Sequence, residues 1–143
     1  MDEGGRLKLV ADVALFAGDR VLLVRYRDVR KFDGETGWFL PDDYLRRLEH
    51  PEDAAKRILR EQIGLEAPRL RLGLIESFEG NGAWHLIFHY EGHADGEAQL
   101  APGENTAQAE WFRLTDFPDR SELAHDGWAL DVLEAMRKSP AGP

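Results

Sequence analysis

The sequence predicts a single domain of mixed α/β type, on the evidence of its length, its apolar runs and the order of those runs. The chain has 143 residues, which suits one hydrophobic core and leaves little room for a second. Strand-like runs come before and after a helical segment, and a second helical segment lies near the end of the chain. This order predicts helices packed on a mixed sheet.

The first half of the chain shows two strong strand signals and one weaker one. Residues 7–16 are rich in leucine, valine and alanine, which predicts a buried strand, and the turn signal Gly18-Asp19 predicts that residues 21–26 return beside it. Residues 28–37 are polar with two glycines and are interpreted as a loop. Residues 38–40 are predicted to form a short strand that Pro41 ends.

Two helices and three further strands are predicted downstream. The first helix is predicted to begin at Pro51, with acidic residues in its first turn, and to end at Gly64. Apolar spacing and basic residues in the last turn predict a second helix over residues 127–137. The domain is expected to span residues 1–138, followed by a disordered tail over residues 139–143. The further strands are predicted at residues 70–78, 84–90 and 109–114.

Composition excludes several classes of function. The chain contains no cysteine, so it has no disulfides, no thiolate metal ligands and no thiol nucleophile. Its formal net charge of −9 argues against nucleic acid as a partner, because such a field repels a phosphate backbone. No apolar run reaches the roughly 18 residues of a membrane span, and residues 1–5 do not resemble a signal peptide. We therefore expect a cytoplasmic protein without membrane contact.

The segment that bears on function is residues 40–65, LPDDYLRRLEHPEDAAKRILREQIGL. It resembles the Nudix box, G-x5-E-x7-R-E-U-x-E-E-x-G-U, in which U is a large aliphatic residue. Six of the nine fixed positions match without a gap, namely Glu49, Arg57, Leu59, Glu61, Gly64 and Leu65. The lead-in Leu40-Pro41 and the later Glu110-Trp111-Phe112 are also similar to the family. The resemblance implies a Nudix-type α/β/α sandwich with a mixed β-sheet.

The resemblance also assigns roles to the matching residues. Members of the family pair the first glutamate with the arginine, here Glu49 with Arg57, to fix the loop on the helix, and Gly64 permits the turn that follows. Their chemistry uses three carboxylates on one helix face, which fall here at Ile58, Glu61 and Gln62. Two of those carboxylates are therefore missing. Asp43 replaces the first glycine of the box, which either disturbs a turn or adds a compensating carboxylate.

Members of the family hydrolyse nucleoside diphosphates linked to another group, with Mg²⁺ or Mn²⁺ as cofactor. The resemblance therefore implies a small phosphorylated ligand and a weak site for one of these ions. Glu61 is the expected catalytic carboxylate and main metal ligand, since an isoleucine offers no ligand and an amide only a neutral oxygen. Gln62, Glu104 and Glu110 are the candidates to assist it, although each of the two glutamates outside the box is more typical of an exposed surface acid than of a ligand.

Basic and aromatic side chains supply candidates for ligand binding. Arg25 and Arg27 end a predicted strand and begin the following loop, where a guanidinium group can hold a phosphate, although charged loops are commonly just solvated. Trp38, Trp84 and Tyr90 can stack on a base or fill the core. His85 and His89 lie four residues apart on a predicted strand, a separation of ~13 Å that prevents them from sharing one metal ion.

Three functional hypotheses remain open at this point. The first is a Nudix hydrolase with a weakened, altered or displaced metal site. The second is a non-catalytic module that binds or senses a nucleotide or sugar nucleotide. The third is an interaction domain that uses the apolar Ile58 face or another surface. The protein could also form a homodimer, since homodimers are common in the family. Neither the substrate nor the presence of activity follows from the sequence, because fold does not fix function.

Overall fold

The computed structural model describes residues 6–138. The acidic N-terminus and the tail predicted over residues 139–143 lie outside the described residues. Within these described residues, six strands and two helices make up the main elements. The strands are β1 (Arg6–Ala17), β2 (Arg20–Tyr26), β3 (Asp42–Tyr44), β4 (Leu70–Gly80), β5 (Ala83–His93) and β6 (Thr106–Arg113), and the helices are α1 (Pro51–Ile63) and α2 (Ala124–Lys138).

The sheet is mixed, as the sequence predicted. Its strand order is β4-β5-β1-β2-β6, and β3 pairs with β1 beside this path. The long central pairing of β1 with β5 is parallel, whereas the other strand pairs are antiparallel. β2 pairs with β1 only near its end, at Phe16 and Ala17. β3 therefore pairs with β1 nearer its start, at Val10 to Asp12. The start of the predicted box is thereby attached to the centre of the sheet.

Each face of the sheet buries one helix, because successive strand residues point to opposite faces. On one face, Val13 and Leu22 pack with Leu59 of α1. On the other face, Ala14 and Leu23 pack with Val132 of α2. The result is a helix–sheet–helix sandwich, the fold class that the sequence predicted.

The ends of α1 follow its sequence closely. The His50 ring accepts a hydrogen bond from the backbone N–H of Glu52 at 3.0 Å, and Pro51 occupies the first turn, where no N–H donor is needed. Gly64 ends the helix in the left-handed conformation at φ 69°, which costs a glycine least. The predicted start of α1 at Pro51 and its predicted end at Gly64 are therefore confirmed.

One predicted element was wrong, and the second helix was confirmed with its start within one residue of the prediction. Residues 38–40 do not form a strand: Trp38 bridges Leu123 and Phe39 bridges Val24, and two different partners prevent a continuous ladder. The strand of this region is instead β3, just after Pro41. In α2, residues 125–127 have left-handed backbone angles, so the regular helix begins at Trp128. The predicted loop over residues 28–37 contains a short 3-10 helix, Arg30–Phe32.

Candidate functional site

The residues that match the scaffold of the box form one ion-pair cluster. Arg57 is 4% exposed, and its Nε and Nη2 atoms donate to the two carboxylate oxygens of Glu49, each at 2.9 Å. Nη2 also donates to the carbonyl of Tyr44 at 2.9 Å. The hydrogen bonds from Arg57 are the main reason that the pKa of Glu49 falls to about 2. This cluster ties the loop before α1 to the helix itself.

The face of α1 at the three carboxylate positions is occupied by other interactions. Ile58 is 0% exposed and packs with Ala11 and Ala54 under the sheet, so it offers neither a metal ligand nor a partner surface. The Glu61 side chain is 45% exposed, and its two oxygens lie 3.3 Å from Arg57 Nη1 and 3.1 Å from Arg46 Nη2. The one remaining carboxylate of this face is thus held between two guanidinium groups.

Gln62 is held in a polar network with the lead-in of the box. The Tyr26 hydroxyl donates to Gln62 Oε1 at 2.8 Å, and Gln62 Nε2 donates to the carbonyl of Asp42 at 2.8 Å. The Tyr26 hydroxyl in turn accepts the backbone N–H of Asp42 at 3.0 Å. Desolvation, followed by the nearby Asp12 carboxylate, raises the pKa of Asp42 well above its usual value. The amide at this position therefore serves a structural hydrogen-bond network.

These residues do not match the donors that Mg²⁺ prefers. The ion takes hard, mostly anionic oxygen ligands in octahedral geometry. The face provides one carboxylate already neutralised by two arginines, one amide oxygen that accepts from Tyr26, and one buried isoleucine. Among residues 6–138, no group of three or more acidic or histidine side chains is arranged to hold a metal ion.

Asp43 does not take the place of a missing ligand. It lies within β3, opposite Ala11, and not in a left-handed turn, so this position does not require a glycine. Its Oδ1 accepts from Lys31 Nζ at 2.9 Å, and its Oδ2 lies 3.6 Å from Arg57 Nη1. The carboxylate therefore joins the ion-pair cluster around Arg57.

The candidates outside the box fall in different places. Glu104 is exposed and follows Gly103, whose backbone N–H donates to the carbonyl of Gln62 at 2.9 Å, so this loop lies against the end of α1. Glu110 and Arg25 instead line a groove on the α2 face of the sheet, where Arg25 lies 4.6 Å from the centre of the Trp38 ring. Arg27 is exposed, and its backbone N–H bonds Asn105. Of these four residues, only Glu104 comes near the box helix.

A cavity of about 240 Å³ lies between the sheet and the start of α2. Its walls are largely apolar and aromatic, and the lead-in of the box contributes Asp42 and Asp43 to it. Lys31 stands at this cavity with its ammonium group bound to Asp43. The remaining walls include Val10, Phe39, Phe78, His85, Ile87 and Trp128.

One buried polar network was not found from the sequence. His89 Nδ1 lies 2.7 and 2.8 Å from the two oxygens of Asp12, and Nε2 lies 2.7 Å from Glu76 Oε1. His89 and Asp12 are both fully buried. Burial alone lowers the pKa of the imidazole, but the carboxylates of Asp12 and Glu76 more than offset this and raise the pKa to about 10. The carboxylates of Asp12 and Glu76 thus favour the charged form of the His89 ring.

Comparison with known proteins identifies the family. A family model for the NUDIX domain matches residues 6–134, which is nearly all of the chain. The chain belongs to the NUDIX domain family. The predicted membership of the Nudix family is thus confirmed, although three of the nine fixed positions of the box carry other residues. Hydrolases of this family generally use divalent metal ions, whereas the donors on α1 do not match such an ion in this member.

Solved structures of Nudix proteins share the fold. A MutT NUDIX hydrolase from Burkholderia pseudomallei has 22% identity and a TM-score of 0.73, with 94% of this chain and 99% of that chain covered. The NUDIX domain of Shewanella oneidensis NrtR, solved in complex with ADP ribose, has 21% identity and a TM-score of 0.74, covering 93% and 87%. A C. elegans Ap4A hydrolase binary complex has 14% identity and a TM-score of 0.68, covering 92% and 93%.

One further comparison gave no match. Among curated proteins, none matches this chain at a significant level. Within residues 6–138, neither helix has the length and apolar character needed to cross a membrane.

Proposed function

We propose that this Nudix domain binds a small nucleoside-diphosphate derivative in the cavity beside β3, and that it hydrolyses such a ligand weakly or not at all. The proposal rests on one observation: the side chains on the α1 face are already engaged in contacts with other parts of the protein. Ile58 is buried, Gln62 is committed to Tyr26 and Asp42, and Glu61 is paired with two arginines. Loss of a general base alone lowers a rate by ~10²–10⁴, and the loss of metal ligands adds to this.

The cavity supports the binding half of the proposal. Aromatic and aliphatic walls suit a planar base, and a few polar groups near the mouth suit the attached sugar and phosphates. Lys31 supplies a cation there, since its ammonium group is half-exposed although it contacts Asp43. The Shewanella oneidensis domain is a solved complex with ADP ribose, which makes that compound a reasonable first ligand. Binding in this cavity requires none of the three positions on α1.

Residual hydrolysis would depend on Glu61. Its side chain is half-exposed, and surface ion pairs of this kind are weak, so a ligand that displaces Arg46 can free one carboxylate oxygen. Glu104 is the better placed of the two outside candidates, because its loop lies against the end of α1. Glu110 lies on the opposite face of the sheet and cannot join Glu61 without rearrangement. Weak activity with Mg²⁺ or Mn²⁺ would therefore involve Glu61 and Glu104, and it would involve Gln62 only if that side chain released its hydrogen bonds to Tyr26 and Asp42.

The two halves of the proposal are separated by one panel of ligands. Purified protein is incubated with ADP ribose, nucleoside diphosphate sugars, dinucleoside polyphosphates and nucleoside triphosphates, with Mg²⁺ and with Mn²⁺, and both binding and product are measured. Glu61→Gln tests the remaining carboxylate. Glu52→Gln, at the exposed first turn of the same helix, is the matched control.

We expect saturable binding of at least one compound, with turnover that is slow or undetectable. Any slow turnover that exists is expected to disappear in Glu61→Gln and to persist in Glu52→Gln. Fast metal-dependent turnover by the wild type would contradict the proposed weakness of the site. Absence of binding to every compound would contradict the ligand-binding role and favour an interaction domain, whose oligomeric state light scattering would then measure.

A further inference from the structure

A row of ion pairs leads from the cavity to the exposed surface beside α1. Lys31 Nζ lies 2.9 Å from Asp43 Oδ1, and both residues line the cavity. Arg57 Nη1 lies 3.6 Å from Asp43 Oδ2 and 3.3 Å from Glu61 Oε1. Arg46 Nη2 lies 3.1 Å from Glu61 Oε2 and ends the row. The row therefore connects the proposed ligand cavity to the α1 face that includes Glu61.

The charges of this row are balanced once Glu49, the further partner of Arg57, is included. There are three groups of each sign, namely the carboxylates Asp43, Glu49 and Glu61 and the cations Lys31, Arg46 and Arg57. Mg²⁺ and Mn²⁺ bind where carboxylate oxygens are free to coordinate. Here each carboxylate already has a cationic partner, so the row offers a dication no excess of negative charge.

The two ends of the row are accessible cations. The Arg46 side chain is 64% exposed and that of Lys31 is 49% exposed, whereas Arg57 between them is 5% exposed. Among the described residues, the Arg46 guanidinium donates a hydrogen bond only to Glu61, and only from Nη2. The other donors of its planar fork can therefore serve a ligand.

A diphosphate can replace Glu61 as the partner of Arg46. Exposed ion pairs are weak, because water solvates both partners and salt screens them. A diphosphate carries more negative charge than a carboxylate, and its oxygens accept two parallel hydrogen bonds from one guanidinium group. Lys31 adds a second cation at the cavity itself. The exchange of partners at Arg46 is therefore favourable for a ligand that extends out of the cavity.

We propose that Arg46, together with Lys31, binds the diphosphate of the ligand and supplies the positive charge that a metal ion would otherwise bring to α1. The proposal rests on the proposed function, because it specifies how the ligand of the same cavity is held. It accounts for the mismatch between the α1 donors and a metal ion, since Ile58 is buried and Gln62 is bonded elsewhere. Ligands with a diphosphate are thereby selected without a divalent ion.

The test is calorimetric titration with ADP ribose in EDTA, where no divalent ion takes part. Arg46→Ala should raise the dissociation constant roughly tenfold or more, the effect typical of losing a hydrogen bond to a charged group. Arg46→Lys keeps the charge without the planar fork and should restore part of the loss. Arg47→Ala is the matched control, because Arg47 is an exposed arginine of the same loop, whereas the guanidinium groups that contact Glu61 are those of Arg46 and Arg57. At physiological salt, it should change the dissociation constant by about twofold or less.

Glu61→Gln separates this proposal from a role for Glu61 as a metal ligand alone. Removing the carboxylate frees Arg46 for the ligand, so ADP ribose should bind roughly two- to fivefold more tightly in EDTA. A metal ligand without this competing role would leave binding in EDTA unchanged and weaken it only with Mg²⁺. Thermal melting of every variant is measured in parallel, so that a general loss of structure is recognised.

The outcomes separate this proposal from the one on which it rests. If the wild type binds no compound of the ligand panel, the proposed function fails and the role of Arg46 fails with it. If the wild type binds in EDTA but Arg46→Ala binds as well as Arg47→Ala, the ligand-binding role stands and the Arg46 proposal is overturned. Binding by Glu61→Gln in EDTA that is unchanged or weaker than that of the wild type would also overturn it.

Discussion

Replacing Glu49 with alanine should destabilise the protein by leaving the buried Arg57 guanidinium short of a partner. Two hydrogen bonds of 2.9 Å would be lost at Arg57, and the backbone N–H of Arg46 would lose its bond to Glu49 Oε1 at 2.9 Å. Breaking one side of a buried ion pair typically costs ~3–5 kcal/mol. Arg57 retains the Tyr44 carbonyl at 2.9 Å and Glu61 at 3.3 Å. We therefore expect a loss of about 2–3 kcal/mol, below that full range.

Urea denaturation followed by tryptophan fluorescence measures this loss as a difference in the free energy of unfolding. Glu52→Ala is the control, since its contact with Lys56 is 3.4 Å long and exposed, and such pairs contribute about 0.5 kcal/mol or less. The effect of Glu49→Ala should also depend on pH. The pKa of Glu49 is lowered to about 2, so its contribution is present above its ordinary pKa and lost as the pH falls towards 2.

The reasoning would be refuted if Glu49→Ala and Glu52→Ala gave the same free energy of unfolding at pH 7. It would also be refuted if the difference between the wild type and Glu49→Ala stayed constant down to the lowest pH at which the protein folds. Either result would mean that the remaining partners of Arg57 satisfy the guanidinium without Glu49.

Three further predictions concern other parts of the fold. The pKa of His89 is raised to about 10 from 6.5, so its stabilising contribution is complete below pH 6.5 and is lost as the pH rises through 10. Denaturation at increasing pH should therefore show a falling free energy of unfolding, by up to about 1.4 kcal/mol per pH unit, and a flat profile from pH 7 to pH 10 would contradict it. Leu48 is 93% exposed at φ 64°, so Leu48→Gly should relieve backbone strain and stabilise by ~0.5–1 kcal/mol; a lower midpoint in urea would count against this. A Cβ atom at Gly103 would lie 2.0 Å from the Glu61 carbonyl oxygen, so Gly103→Ala should destabilise by ~1–3 kcal/mol, whereas an unchanged melting curve would show that the loop yields freely.

The sequence predicted those parts of the fold that depend on local patterns. Turn and capping residues, which determine the backbone of their close neighbours, mark three of the predicted features. These are the strand of residues 7–16, the hairpin at Gly18 and the helix between Pro51 and Gly64. The match to the box likewise identified Glu49 and Arg57 eight residues apart, which the structure places in contact. Patterns of this kind need no knowledge of which strands pair.

Features that depend on long-range pairing were not predicted. Asp12 and His89 are 77 residues apart and meet because β1 and β5 pair in parallel in one particular register. In the sequence, the same histidine is a candidate only for metal binding, and its spacing on a strand argues against that role. Arg25 lines a separate groove with Trp38 and Glu110 and does not line the cavity, and strand alternation alone did not decide which residues surround the ligand. The engagement of Gln62 by Tyr26 required the three-dimensional structure as well.

The central claim is that ligand binding in this domain does not depend on a metal ion bound to α1. The most direct test is calorimetric titration of the wild type with ADP ribose, once with excess Mg²⁺ and once with EDTA, with product measured at the end of each titration. We predict dissociation constants that agree within about twofold in the two conditions, with little or no hydrolysis in either. Binding that appears only with Mg²⁺, accompanied by rapid hydrolysis, would contradict the account.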